Sequence, residues 1–445
     1  MKQQGILSFL QRYNASGVSR FHMPAHKGNF PLYAGLPLSR LDITEVQGAD
    51  SLYEADGVIA ATEARIAAVY GSRETLLSAG GNTLCIQAML ALAARPGGRV
   101  VCTRNLHVSA VGAMALLGLE PVFVYPSRDR AGGLPGTAAP EAYAQALSGA
   151  PDACAVYLTT PDYFGVRSDV AGIAAVCRAH GVPLLVDNAH GAHLRFLSPD
   201  RHPLSLGAAL CADSAHKTLP VFTGGAFLHI GDGAFDRASA KDAMALFGST
   251  SPSYLTMLSI DACASYLETG ARSDFAALCQ TVADLAALAA SKGFSLPAGD
   301  RDPTRLSLGT LSAGCTGARF AQHLRAHGVE PEYVSHGWVV LLPSPFNTPA
   351  DFSRLRRALE AFTPAPPLPC PIPEKLRPTR VMTLREAVLA PCEQLPVSQC
   401  EGRVAACAKS PCPPGVPLVM PGEKITGKLK NLLADYGLNA LKVVK

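Results

Sequence analysis

Val182-Pro183-Leu184-Leu185-Val186-Asp187 is a short apolar run opened by a proline and closed by an acid. It is too short for a helix and too apolar for a loop, so it reads as a strand buried on both faces of a sheet. The helical stretch before it, 170–180, stops at Gly181, a residue suited to the turn that ends a helix. Helix, short connection and buried strand form part of a parallel crossover unit, and the pattern repeats outward. Further strands are predicted over 75–79, 99–103, 121–125, 153–159, 209–213 and 226–230, with helices over 57–70 and 82–94. The chain is therefore read as α/β, with a mostly parallel seven-stranded sheet flanked by helices.

Ligands of such sheets gather at the carboxyl ends of the strands. Asp187 stands at one such end, and the turn Ala79-Gly80-Gly81-Asn82-Thr83 stands at another. A third position of interest is Ser214-Ala215-His216-Lys217-Thr218, which holds the one lysine between Gly28 and Ala240. Elsewhere in that stretch the cations are arginines. Lysine can lose its proton and form a Schiff base, whereas arginine cannot, so Lys217 paired with a strand-end carboxylate points to pyridoxal 5'-phosphate. The carboxylate of Asp187 would hold the ring nitrogen protonated and make the ring an electron sink. The alternative is a chance survivor at a helix end.

At 445 residues the chain has room for two or three domains. Hydrophobic residues make up 48%, charged residues 17%, and the net charge is +4, which marks neither a nucleic-acid nor a membrane-surface partner. A small-molecule substrate is expected. The first residues lack a signal-peptide core and no stretch approaches roughly 18 uninterrupted apolar residues, so a cytoplasmic protein is expected. The thirteen cysteines contain no Cys-x-x-Cys pair and read as free thiols. Cys392, Cys400, Cys407 and Cys412 cluster in sequence but match no zinc pattern, and no metal is expected.

Beyond about residue 240 come two alanine-rich helical segments and an α+β stretch, 304–362, with an apolar strand over 338–342. Seven prolines in the sixteen residues 363–378 make an extended tether. The resulting division is an arm (1–45) with a helix at 6–13, a large domain (46–245), a small α+β domain (246–362), the linker (363–378) and a C-terminal module (379–445).

Phe21-His22-Met23-Pro24-Ala25-His26-Lys27-Gly28, Asp42-Ile43-Thr44-Glu45, the run from Asp187 to His193 and the run from Ser214 to Pro220 together resemble the Orn/Lys/Arg decarboxylase family of fold type I pyridoxal-phosphate enzymes. Gly402-Arg403-Val404-Ala405-Ala406, Pro413-Pro414-Gly415-Val416-Pro417 and Pro421-Gly422-Glu423 resemble its C-terminal domain, so the likeness covers nearly the whole chain. The resemblance implies decarboxylation of arginine, lysine or ornithine to an amine and carbon dioxide through an internal aldimine at Lys217. It implies Asp187 at the ring nitrogen, His107 over the ring, and His190 as an orienting neighbour, with His193 left between a functional and a structural role. Gly81, Asn82, Thr83, Ser214 and His216 would bind the phosphate at a helix start.

The family usually has Gly-Ser-Thr where this chain has Gly81-Asn82-Thr83, and threonine where it has Asp162. Glu423 is the expected partner of the substrate's distal cation. A homodimer or larger homo-oligomer is expected, with the arm laid across the partner. Other fold type I chemistries, such as transamination, and a silent cofactor-binding relative are the alternatives.

Overall fold

The computed structural model describes residues 5–126, 134, 136–231, 233–370, 377–409 and 417–445. Met1 to Gln4, part of the proline tether, Cys412 and Pro413 to Val416 of the C-terminal motif lie outside the described residues.

After the helix Ile6–Ala15, a short strand β1 (Ser19–Phe21) leads into the large domain. Its strands are β2 (Glu74–Ser78), β3 (Arg99–Thr103), β4 (Glu120–Val124), β5 (Ala153–Thr159), β6 (Leu184–Asp187), β7 (Leu210–Asp213) and β8 (Ala226–Ile230). Among the described residues these seven form one sheet in the order β2-β8-β7-β6-β5-β3-β4. The ladders from β4 across to β7 are parallel, while β8 runs antiparallel to both β7 and β2. The α/β reading with a mostly parallel seven-stranded sheet is thus what the structure shows.

The sequence-based strand ends shift by a residue where proline intervenes. Pro183 has no N–H to give the ladder, so β6 begins at Leu184, and the Pro183 carbonyl accepts a 3.0 Å bond from Val156. Pro121 sits inside β4, which it can do because β4 is an edge strand.

Successive residues of β6 serve opposite faces. Leu185 packs with Ile86, Met89, Leu90 and Met114 of the helices Gly81–Ala93 and Val108–Leu117. Leu184 and Val186 pack on the other face with Ile173 and Cys177 of the helix Val170–Ala179. Both faces are covered, which is why the strand reads as continuously apolar. The carboxyl ends of β2, β3, β5, β6 and β7 consequently lie along one edge of the sheet.

The helices Tyr254–Thr269 and Ala271–Ser291 lead to β9 (Leu306–Gly309), β10 (Val329–Pro331), β11 (Tyr333–Val334) and β12 (Trp338–Leu341). β9, β11 and β12 form an antiparallel sheet, and β10 takes β1 as a parallel partner, which stitches the arm to this smaller unit. Ile6, Leu7, Phe9 and Leu10 of the first helix are exposed.

In the C-terminal module β13 (Cys392–Pro396) pairs antiparallel with β14 (Ala440–Val444) over a core containing Ile425, Leu429, Leu433 and Val443. Leu384 and Met420 of this module join the core beneath the large sheet. Among the described residues no helix is long and apolar enough to cross a membrane.

Candidate active site

Asp187 ends β6 with its side chain buried and its carboxylate held from three sides. Oδ1 accepts from Asn82 Nδ2 at 3.0 Å and from the Ala189 N–H at 3.1 Å, and Oδ2 accepts from the Tyr157 hydroxyl at 3.1 Å. These bonds fix the plane of the carboxylate. Asn82, expected at a phosphate, thus turns its amide to Asp187.

Lys217 lies on the short helical turn after β7, with Nζ 3.2 Å from His190 Nε2. Burial pulls the lysine amine below its ordinary range, and Arg305 pushes the same way against Asp187 and Glu332. Burial also keeps the His190 ring well below the ordinary histidine value, with the charges of Lys217, Arg305, His107 and His216 adding. Burial lowers His107 too, with Asp187 opposing and Lys217 assisting. Lys217 touches His190, and the charges of Lys217 and Asp187 both act on His107, so the four groups lie within electrostatic reach of one another. His107 caps the helix Val108–Leu117, its Nδ1 accepting from the Ser109 N–H at 3.2 Å.

The proposed phosphate cup is brought together only in part. Gly81 starts the helix Gly81–Ala93 at φ +70°, and a Cβ placed there would meet nothing closer than the Gly224 carbonyl at 4.0 Å. Open space therefore faces a helix start where the Gly81 N–H donates to the Gly224 carbonyl at 2.7 Å and the N–H groups that follow it in the first turn are left for an anion. Thr83 is exposed on that first turn, and Ser214 is buried, its hydroxyl 3.3 Å from His216 Nδ1. His216 Nδ1 gives its proton to the Gly225 carbonyl at 3.1 Å, and burial lowers its pKa. His216 thus has Nδ1 engaged within its own turn, which leaves its expected part at the phosphate to Nε2.

Glu423 comes from the C-terminal module to the loop that follows β3. Both of its oxygens engage Arg104, and Oε2 also accepts from the Met420 N–H at 2.8 Å. Arg104 belongs to the loop that carries His107. Its charge is thus shared with an internal arginine. His193 is bonded through Nε2 to Asp302 at 3.0 Å and lines a cavity together with Lys217. Asp162 accepts from the N–H groups of Phe164 and Val166, which shapes the turn that presents Tyr163.

Several residues here are absent from the sequence reading. A tyrosine inside the otherwise aliphatic β5 was a usable signal for Tyr157, since a buried hydroxyl needs a partner. Arg305, whose Nη1 donates to the Tyr163 carbonyl at 2.8 Å, and Glu332, which accepts from the Tyr163 hydroxyl at 2.8 Å, arrive from a distant part of the chain without any local motif. Asp213, just before Ser214, accepts from Asn188 at 2.7 Å and contacts His202 at 2.9 Å and His229 at 3.3 Å. Burial opposes its ionisation, yet the two histidines hold the carboxyl well below the usual range. This bonding ties the end of β7 to that of β6, fixing Lys217 relative to Asp187.

Residues 6–287 match the family model described as Orn/Lys/Arg decarboxylase, major domain, and residues 374–443 match Orn/Lys/Arg decarboxylase, C-terminal domain. The chain belongs to the Orn/Lys/Arg decarboxylase family. An arginine decarboxylase of Halalkalibacterium halodurans is 29% identical, covering 92% of this chain and 88% of that protein. One from Bacillus subtilis is 28% identical over 98% and 96% of the two chains. The solved Francisella novicida lysine decarboxylase superposes with a TM-score of 0.79 at 17% identity, covering 94% of this chain and 76% of that one. That likeness shows the fold, which is that of fold type I pyridoxal-phosphate enzymes.

The residues present fit that cofactor. Lys217 offers an amine whose neutral form burial favours, Asp187 an oriented carboxylate, and the Gly81 turn an open anion cradle. Asn82 Oδ1 and His190 Nδ1 are buried without a protein partner, as polar atoms lining a ligand chamber would be.

Proposed function

We propose that this decarboxylase converts a basic amino acid to its amine and carbon dioxide, with arginine the favoured substrate, using pyridoxal phosphate held on Lys217. The observation that carries the reading is the half-buried Lys217 amine, 3.2 Å from His190 and within electrostatic reach of Asp187. Full-length relatives named arginine decarboxylase support the choice of arginine. The cofactor, when bound, supplies an electron sink for the bond that breaks at the substrate's α-carbon.

The protein's own groups do the rest. Asp187, held by Asn82 and Tyr157, orients and charge-balances the ring nitrogen. His107 covers the site from the β3 loop. Lys217 would hold the cofactor and, with its amine free, would be the acid that protonates the substrate's α-carbon. Glu423, near the His107 loop, retains lone pairs beyond those given to Arg104 and Met420, and we assign it to the distal cation.

Decarboxylation rather than transamination is supported by Arg305. A substrate carboxylate clamped by a guanidinium fork is stabilised against leaving, and Arg305 instead gives Nη1 to Tyr163 and Nη2 to the His190 carbonyl at 3.4 Å. On this reading the chain divides into an arm (1–45), a large domain (46–245), a small domain (246–362), a linker (363–378) and a C-terminal module (379–445). It works as a homodimer, to which the exposed apolar residues of the helix Ile6–Ala15 contribute.

Carbon dioxide release measured over arginine, lysine, ornithine and nonbasic amino acids tests the reading. Release from arginine above all others is expected, whereas keto-acid formation without carbon dioxide would replace decarboxylase with aminotransferase.

A further inference from the structure

The segment from Phe21 to Gly28 packs against the turn that carries Lys217, the Ala25 N–H donating to the His216 carbonyl at 3.0 Å. With the helix Ile6–Ala15 it also walls a cavity of about 310 Å³, the size at which small-molecule sites begin, at roughly 300 Å³. None of the residues lining it lines the cavity at Lys217. Leu10 and Pro24 give it apolar surface, and the Arg20 guanidinium lies over the Tyr13 ring, 5.2 Å from its centre.

The charge on its walls has one sign. Arg20 and Lys27 line it, and no described carboxylate does. Among the described residues Arg20 has no ion partner. Its Nη2 donates to Asn14 Oδ1 at 3.3 Å and its Nη1 to the Lys27 carbonyl at 3.5 Å, both long bonds and both to neutral oxygens. A guanidinium has five N–H groups, so most of its donors are unspent. Lys27 Nζ donates to the His22 carbonyl, again an uncharged acceptor. The two carboxylates whose charge acts on Lys27 are bonded elsewhere, Glu332 to the Met23 N–H and the Tyr163 hydroxyl, Asp351 to the Ser19 hydroxyl and the Thr348 N–H. A cavity that gathers cations and leaves them without a bonded counter-charge suits an anion.

The other titratable groups on its walls set how much charge that anion carries. Burial brings His26 to about 4 and also lowers His22, so both rings are neutral near pH 7. His26 Nδ1 accepts from the Gly28 N–H at 3.0 Å, which puts the ring proton on Nε2 and makes it a neutral donor. Lys27, brought by burial to about 7, is only partly charged there. Arg20 is then the one full cation, and its planar fork matches a carboxylate better than the point charges of Lys27 would match a phosphate dianion. We propose that this cavity is a second binding site, apart from Lys217, for a small organic monocarboxylate whose charge pairs with Arg20 and whose apolar body packs on Leu10 and Pro24. The site does not depend on the reading of Lys217.

The test uses the full-length holoenzyme with benzoate as the probe, titrated calorimetrically at pH 7. Saturable binding with a Kd below about 1 mM is expected, with benzylamine, the same ring bearing the opposite charge, not binding. Arg20→Gln is expected to weaken benzoate about tenfold, the loss of one charge-assisted pair. Leu10→Glu, on the exposed face of the helix, sets a like charge beside the cavity and is expected to weaken it as well, which keeps the test decisive if Arg20→Gln fails to fold. A crystal soaked with 4-bromobenzoate should show anomalous density beside Arg20. No saturable binding, tighter binding of inorganic phosphate than of benzoate, equal affinity in wild type and both variants, or a cavity filled by side chains of a second copy of the chain each overturns the proposal.

Discussion

The Tyr157 hydroxyl donates to Asp187 Oδ2 at 3.1 Å from the adjacent strand, in a position sealed from solvent. Registered parallel pairing sets this up, with Thr159 beside Asp187 and Tyr157 beside Leu185. Burial and the neighbouring carboxylate keep the phenol well above its ordinary pKa, so it remains a donor throughout the working range. Tyr157→Phe removes one hydrogen bond to a group that must carry charge, a loss of about 1.5 kcal/mol or roughly tenfold in kcat. Steady-state rates should show it with KM for the amino acid little changed.

Asp187→Ala removes the carboxylate proposed to face the ring nitrogen. Turnover should vanish while part of the cofactor stays bound, read by carbon dioxide release beside visible absorbance. Normal turnover would take Asp187 out of the chemistry.

Arg104 and Glu423 form a buried pair between the β3 loop and the C-terminal module. Removing one partner from such a pair strands the other charge, at a cost of about 3 kcal/mol. Arg104→Ala should lower the urea midpoint accordingly. Glu423→Gln should raise KM for arginine far more than it impairs cofactor capture, and an unchanged KM would remove Glu423 as the cation's partner.

Acid should weaken the fold before carboxylates titrate. Burial brings His26 down to about 4, with Lys27 and Arg20 assisting, and burial also lowers His22, His107, His190, His216 and His229. Between about pH 6.5 and pH 4 the unfolded chain binds protons that the folded chain refuses. Stability from these groups is therefore complete above pH 6.5 and lost as pH falls toward 4. Urea midpoints should decline over that window, and His26→Gln should flatten part of the decline.

The sheet was legible in the sequence because its interior strands are buried on both faces and keep most of their residues apolar. Asp187 and Lys217 were legible because each interrupts a regular background, an acid ending an apolar strand and a lysine among arginines. Asn82 was placed at the turn after β2, yet the bond of its amide to Asp187 was not foreseen, since that carboxylate ends β6, three strands away in the sheet. Arg305 and Glu332 carried no such mark. They come to the chamber by packing of the small domain against the large one, and nothing local to either residue encodes that approach.

The central claim is that the ε-amine of Lys217 carries the cofactor. Reduction of the holoprotein with borohydride, followed by peptide mass analysis, tests it most directly, because two other buried lysines compete for the label. Lys27 is brought by burial to about 7, and Lys241 is paired with Glu63 at 2.6 Å. The account predicts a phosphopyridoxyl group on the peptide containing Lys217 and on no other. Label on Lys27 or Lys241, or none at all, would contradict it.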